Sequence, residues 1–192
     1  DNEILVKTWK SGLHKIVIAD WLYRIGSDFG VKTDLIENGL DHQSFYLKVN
    51  ITDRINTSVC MLWHISENKG SNDGLKALIQ VKKEIPDLKC TFFGVHSRPD
   101  MLPDWIDYYQ KPSQDLLSNI YNSSSIFVAP SHTEGFGLTA AEAMQCGCAV
   151  AATDAGGFKQ FCIENETALI SPAKDIDALK KNFRKVGFLG GI

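Results

Sequence analysis

From Cys60 onward, short apolar runs alternate with stretches of helical spacing, and this alternation constrains the fold more than any other feature of the chain. "CMLWHI" (60–65) reads as a buried strand. "DGLKALIQVKKEI" (73–85) then places Leu75, Leu78, Ile79 and Val81 at near-helical spacing before Pro86 stops it. "KCTFFG" (89–94) is the next strand, followed by a loop punctuated by Pro99 and Pro103 and a short strand in "WIDYYQ" (105–110). Ser113 is expected to cap the helix "QDLLSNIYN", whose apolar face carries Leu116, Leu117, Ile120 and Tyr121. "SIFVAP" is a strand, "LTAAEAMQC" a helix, "CAVAAT" a strand, "GGFKQFCIE" a short helix, "TALIS" a strand and "DIDALKKNFRKV" a closing helix. Strands separated by helices call for parallel crossovers. The expected class is therefore α/β, a Rossmann-like open parallel sheet with helices on both faces.

The first 59 residues differ in kind. "HKIVIADWLYRIGSDFG" offers one strand and one helix, and "KTDLIENGLDHQSF" a short strand followed by a turn at Asn38-Gly39. "YLKVNITDRINT" has turn chemistry without periodicity. We expect the tail of a preceding domain and a connector in 1–40, a linker in 41–59 and the α/β domain in 60–192. A length of 192 residues suits one complete domain plus part of another.

Composition narrows the function classes. With 44% hydrophobic and 22% charged residues, the chain has the balance of a globular protein. No run approaches the roughly 20 apolar residues that span a bilayer, and "DNEILVKTWK" lacks a signal-peptide layout; the expected location is the cytoplasm. Net charge is −3, so no basic excess proposes a nucleic-acid surface, and Lys82, Lys83, Lys180 and Lys181 read as solvated helix faces. The five cysteines, Cys60, Cys90, Cys146, Cys148 and Cys162, sit largely in apolar runs and read as reduced core thiols. Cys146 and Cys148 are spaced for neither a redox motif nor a zinc site, so no metal is expected. The sequons at Asn56, Asn122 and Asn165 read as polar turns.

Chemistry concentrates in "SHTEGFGLTAAEAMQCG" (131–147). Gly135 and Gly137 flank Phe136 directly before a helix starting near Leu138. Free N–H groups at a helix start carry about half a positive charge, which suits a phosphate or diphosphate. Taken alone, two glycines also fit a plain strand-to-helix turn. Glu134 and Glu142 bracket this anion site with the spacing E-x7-E, and carboxylates accept paired hydroxyl hydrogen bonds from vicinal diols. The bland alternative makes both solvated surface acids. Glu142 lies among alanines in "TAAEAM", where an unpaired carboxylate is costly. "HISENKG" and "SHTEGFG" both follow expected strands, so both face the crevice beyond the strands' carboxyl ends.

The run "PSHTEGFGLTAAEAMQCGCAVAATDAGG" (130–157) resembles the nucleotide-sugar-binding domain of GT-B glycosyltransferases, specifically the large retaining family 4, whose signature is this E-x7-E. "IENGLDHQSF" is similar to the family's connector, "ENKG" to its lysine-glycine turn, and "SNIYNSSSIFVAPS" to the helix and strand before the signature. The resemblance covers roughly residues 36–180, and the first 35 residues resemble the end of the acceptor-side domain.

The resemblance implies roles. Glu134 would hold hydroxyls of the donor sugar, and the backbone amides of Phe136, Gly137 and Leu138, with Thr139, would meet the sugar and diphosphate. Glu142 would bind ribose hydroxyls. Lys69 matches the lysine that neutralises charge on the leaving nucleoside diphosphate, although a lysine after a strand is more often merely solvated. Where the family commonly has Gly-Arg, this chain has Trp63 and His64. His64 cannot make a bidentate fork: it either donates one hydrogen bond to phosphate or leaves Lys69 to act alone. Gly156 and Gly157 make a second turn near the crevice or a plain helix start, and His96 and Arg98 stand where the family holds the base or in an ordinary surface loop.

By that resemblance the chain is the C-terminal half of a GT-B fold. The whole enzyme would transfer a hexose from a nucleoside diphosphate sugar to a glycan or lipid-linked acceptor with retention, in cell-surface polysaccharide or glycoconjugate synthesis. A front-face displacement, in which the leaving phosphate helps deprotonate the acceptor, needs no protein base. The expected donor is the nucleotide sugar itself, with no cofactor; the N-terminal half is the missing partner, and contact with a membrane surface is left to that half. Residues 1–192 alone are expected to bind donor weakly and to transfer little. Two rivals stand beside this reading: a GT-B type sugar-nucleotide epimerase, and a non-catalytic α/β binding or interaction module, for which His64 speaks.

Overall fold

The structure is a computed structural model that describes residues 2–188. It divides into two units, Asp1–Gly39 and Leu40–Ile192.

The first unit holds α1 (Asn2–Trp9), β1 (Lys15–Val17), α2 (Asp20–Asp28) and β2 (Thr33–Leu35). β1 and β2 pair in parallel, with Val17 opposite Leu35. The expected strand, helix and strand are all present. α1 lies outside the sequence expectation; its Trp9 ring rests 6.2 Å from Phe29 beyond α2.

The second unit carries β3 (Ser58–Leu62), α3 (Ser71–Glu84), β4 (Lys89–Gly94), β5 (Ile106–Gln110), α4 (Gln114–Ser123) and β6 (Ile126–Ala129). It continues through α5 (Leu138–Gln145), β7 (Ala149–Thr153), β8 (Ala168–Ser171) and α6 (Ile176–Phe188). Six strands form one sheet in the order β5-β4-β3-β6-β7-β8, and every neighbouring pair is parallel. This is the expected Rossmann-like α/β class.

Alternate residues of the strands face opposite cores, as a period of two requires. Val59, Met61, Phe92, Val128 and Ala151 pack with Leu75, Leu78 and Val81 of α3 and Leu179 and Phe183 of α6. Cys60, Phe93, Phe127, Val150 and Ala152 pack on the other side with Ile120 and Tyr121 of α4 and Ala140 and Ala143 of α5. Both faces are covered, which is why the strands read as continuous apolar runs. All five cysteines are free and buried, as read from the sequence.

Two details differ from the sequence expectation. β3 starts at Ser58 and ends at Leu62, whereas the apolar run suggests 60–65. Trp63 extends that run because its ring stacks on Phe92 in the core, 6.1 Å away, although the strand has ended. "GGFKQFCIE" forms a 3-10 turn over Gly156–Gln160.

Residues 41–59, expected as a linker, have little regular structure, yet they fold into the second unit. Phe45 is buried, and so is Arg54. The Arg54 guanidinium donates to the carbonyls of Ser124 (2.8 Å), Val49 (3.0 Å), Tyr121 and Cys146. Its charge therefore sits at the C-terminal ends of α4 and α5, where the helix dipoles are negative. That tie sets the two helices side by side.

Candidate functional site

The sheet order reverses between β3 and β6, which are neighbours although two helices and two strands separate them in sequence. Ligands of open α/β sheets bind at such a reversal, beyond the strands' carboxyl ends. The loops leaving β3 and β6 meet there.

After β3 the chain makes a 3-10 turn over Glu67–Lys69 and then enters α3 through Gly70, whose φ is +60°. A Cβ at Gly70 would lie 1.9 Å from the Pro130 carbonyl oxygen, so only glycine permits this approach of the two loops. The amide of His132 donates to the Asn68 carbonyl at 2.7 Å. His132 Nε2 and Asp73 Oδ2 lie 2.7 Å apart, tying the β6 loop to the first turn of α3.

This convergence brings together two residues expected from the sequence. Lys69 Nζ donates to Glu134 Oε1 at 2.6 Å. Ser131 Oγ donates to the same oxygen at 2.8 Å, and Thr153 Oγ1 in turn donates to the Ser131 carbonyl. Glu134 is buried, with 8% exposure, so it is not the solvated loop acid of the bland alternative. A small pocket beside the pair is lined by Leu62, Lys69, Ser131, Glu134, Thr139 and Phe158.

Gly137 caps α5 with a φ of +99°, and its carbonyl accepts from the amides of Ala140 and Ala141. A Cβ there would meet the Phe158 ring at 2.4 Å. Phe136 turns its own ring onto Phe161, 5.4 Å away. Leu138 and Thr139 open the helix, where backbone N–H groups have no partner within it. The amide of Gly157 donates to the Glu134 carbonyl at 3.0 Å, so the Gly156-Gly157 turn supports the site loop from behind.

Glu142 is half-buried one turn into α5, and its Oε2 accepts from Tyr121 Oη at 3.2 Å. Burial pushes its carboxyl above the usual carboxylate range, and the Tyr121 hydrogen bond acts in the opposite sense. The costly carboxylate among alanines thus has a protein partner.

His64 lies just past β3. Its Nδ1 accepts from the Ser66 amide at 3.0 Å, and its own amide donates to Ser71 Oγ at 2.9 Å. With Nδ1 an acceptor, the ring carries its proton on Nε2 as a single donor. The His96 ring stands 6.0 Å away, edge on. Arg98 is committed elsewhere, donating to the carbonyls of Leu102, Pro103 and Ile106 and so closing its own loop. Among the described residues no three His, Cys, Asp or Glu side chains converge as metal ligands would.

Sequence reasoning did not single out Ser131, His132, Asp73 or Thr153 as site residues, nor Tyr121 beyond its place on an apolar helix face. Ser131 lies only three residues before its partner Glu134; the partners of His132, Asp73, Thr153 and Tyr121 lie far away in the chain, and no local spacing marks them.

The sequence model of the glycosyl transferases group 1 family matches residues 48–187. The lipopolysaccharide core biosynthesis mannosyltransferase LpsB of Rhizobium meliloti (strain 1021) is 38% identical over 90 residues, 46% of this chain and 20% of that protein. The matched segment thus spans about a fifth of the length of that relative. Among solved structures, sucrose-phosphate synthase from Thermosynechococcus elongatus superposes with a TM-score of 0.79 at 22% identity, covering 96% of this chain and 51% of that one. The pneumococcal O-GlcNAc transferase GtfA in complex with UDP and GlcNAc gives 0.68 at 22% identity, covering 91% and 37%. At these identities the likeness bears on the fold alone, which is that of the GT-B neighbours. Matched by the family model over most of its length, the chain belongs to the glycosyl transferases group 1 family.

Proposed function

We propose that this chain is the donor-binding half of a retaining, family 4 type glycosyltransferase that moves a hexose from a nucleoside diphosphate sugar to a glycan or lipid-linked acceptor. The observation that carries the reading is the Lys69–Glu134 pair at the sheet's reversal, set beside the start of α5. A cation, a row of free amides and a carboxylate are what a nucleoside diphosphate sugar presents partners for.

In this reading the diphosphate lies against the amides of Phe136, Gly137 and Leu138, with Thr139 beside them. Lys69 turns from Glu134 to the phosphate and offsets the charge that grows as the sugar leaves. Glu134, still held by Ser131, exchanges the ammonium for sugar hydroxyls. His64 Nε2–H gives one further donor, in place of the arginine fork of the family. Glu142 takes the ribose. Acceptor binding falls to the remainder of a two-domain enzyme, for which cell-surface polysaccharide synthesis fits the mannosyltransferase relative.

Calorimetric titration with uridine diphosphate tests this. Saturable binding is expected, weakened about tenfold or more by Lys69→Ala and by Glu142→Ala, as loss of a charge-assisted hydrogen bond implies. A flat titration would favour the non-catalytic module instead.

A further inference from the structure

Glu142 approaches Tyr121, a residue of the preceding helix to which the sequence assigned no role at the site. Tyr121 is fully buried. Its ring is wedged edge-on between Phe93, 5.7 Å away at 82°, and Phe127, 5.8 Å away at 78°, with Phe45 at 5.8 Å on a third side. A ring so packed cannot swing, so the place of its hydroxyl is set by the core rather than by solvent. That hydroxyl donates to Glu142 Oε2. A carboxylate offers about four acceptor positions, so one is used and the other oxygen remains for a ligand.

We propose that Tyr121 is a positioning residue for nucleotide binding: its buried hydroxyl holds one oxygen of Glu142 so that the other accepts the two ribose hydroxyls. The inference rests on the donor-site reading above. The α4 to α5 tie made by Arg54 keeps the two residues in register. The hydroxyl also has an electrostatic effect. Burial favours the neutral carboxyl of Glu142, and the Tyr121 hydrogen bond opposes that, preserving the charged form that accepts diol hydrogen bonds. The other titratable groups near the Tyr121 hydroxyl are the buried thiols of Cys60 in β3 and Cys148 just before β7.

Tyr121→Phe removes the hydroxyl and keeps the ring, so the aromatic packing survives. The test titrates uridine diphosphate and its 2′,3′-dideoxy analogue into the full chain, its Tyr121→Phe variant and its Glu142→Gln variant, between pH 5 and 8. Tyr121→Phe is expected to weaken uridine diphosphate by about five- to tenfold, within what a hydrogen bond to a charged group supplies. The dideoxy analogue should be nearly unaffected, and the acid limb of uridine diphosphate binding should move to higher pH. A tie that only holds α4 to α5 would weaken both nucleotides alike and leave the acid limb in place; that result overturns the proposal. If Glu142→Gln abolishes the preference for the ribose diol while Tyr121→Phe leaves it intact, the role of Tyr121 fails and the donor-site reading stands. If Glu142→Gln leaves the preference unchanged, or uridine diphosphate does not bind, the donor-site reading itself fails.

Discussion

Lys69 and Glu134, 65 residues apart in the chain, form an ion pair 2.6 Å long at the point where the sheet order reverses. The pair ties the loop after β3 to the loop after β6. Lysine is one-third exposed and the glutamate nearly buried, so the carboxylate depends on the ammonium more than the reverse.

Lys69→Met removes the ammonium from that carboxylate and leaves it the Ser131 hydroxyl as a side-chain donor. Stability is expected to fall by about 1–3 kcal/mol, the cost of an unmade hydrogen bond to a charged group. Chemical denaturation measures it. An unchanged midpoint would show that the pair contributes nothing to the fold.

Gly70→Ala places a methyl group 1.9 Å from the Pro130 carbonyl oxygen, and backbone cannot yield as a flexible side-chain end can. The two loops must separate. Expected results are a loss above about 2 kcal/mol together with loss of uridine diphosphate binding. Gly39→Ala is the control: nothing lies within 4 Å of its added Cβ, and its effect should stay within about 0.5 kcal/mol.

Arg54→Met removes the guanidinium from four carbonyls at the ends of α4 and α5 and beside Val49. Those carbonyls would be buried without it. We expect a loss of about 3 kcal/mol or more, read in a denaturant titration; a loss under about 1 kcal/mol would mean that water replaces the guanidinium freely.

The raised carboxyl of Glu142 makes a signed prediction. Because it holds its proton more tightly folded than unfolded, its favourable contribution is complete below the ordinary value of 4.5 and is lost as pH rises through the folded value. At neutral pH the charged side chain is therefore a liability to folding. Glu142→Gln should be more stable than the parent at pH 7, with the gain vanishing below about pH 4.5, while uridine diphosphate affinity falls. Equal midpoints at pH 7 would contradict this, and unaltered affinity would remove Glu142 from the site.

The strand and helix alternation, the E-x7-E spacing and the Ser113 cap were all legible in the chain, because each is a local pattern. Ser113 does accept from the Leu116 amide at 3.3 Å. Periodicity names elements; it does not say which strands are neighbours. In a sheet buried on both faces every strand reads as the same apolar run, so the pairing of β3 with β6 left no mark in the spacing. For the same reason the run through Trp63 hid the end of β3. The pairing decides the site: it brings Lys69 to Glu134 and His132 to Asp73, while packing of α4 on α5 brings Tyr121 to Glu142. Local sequence supplied the charged groups, and the long-range order of a parallel sheet chose their partners.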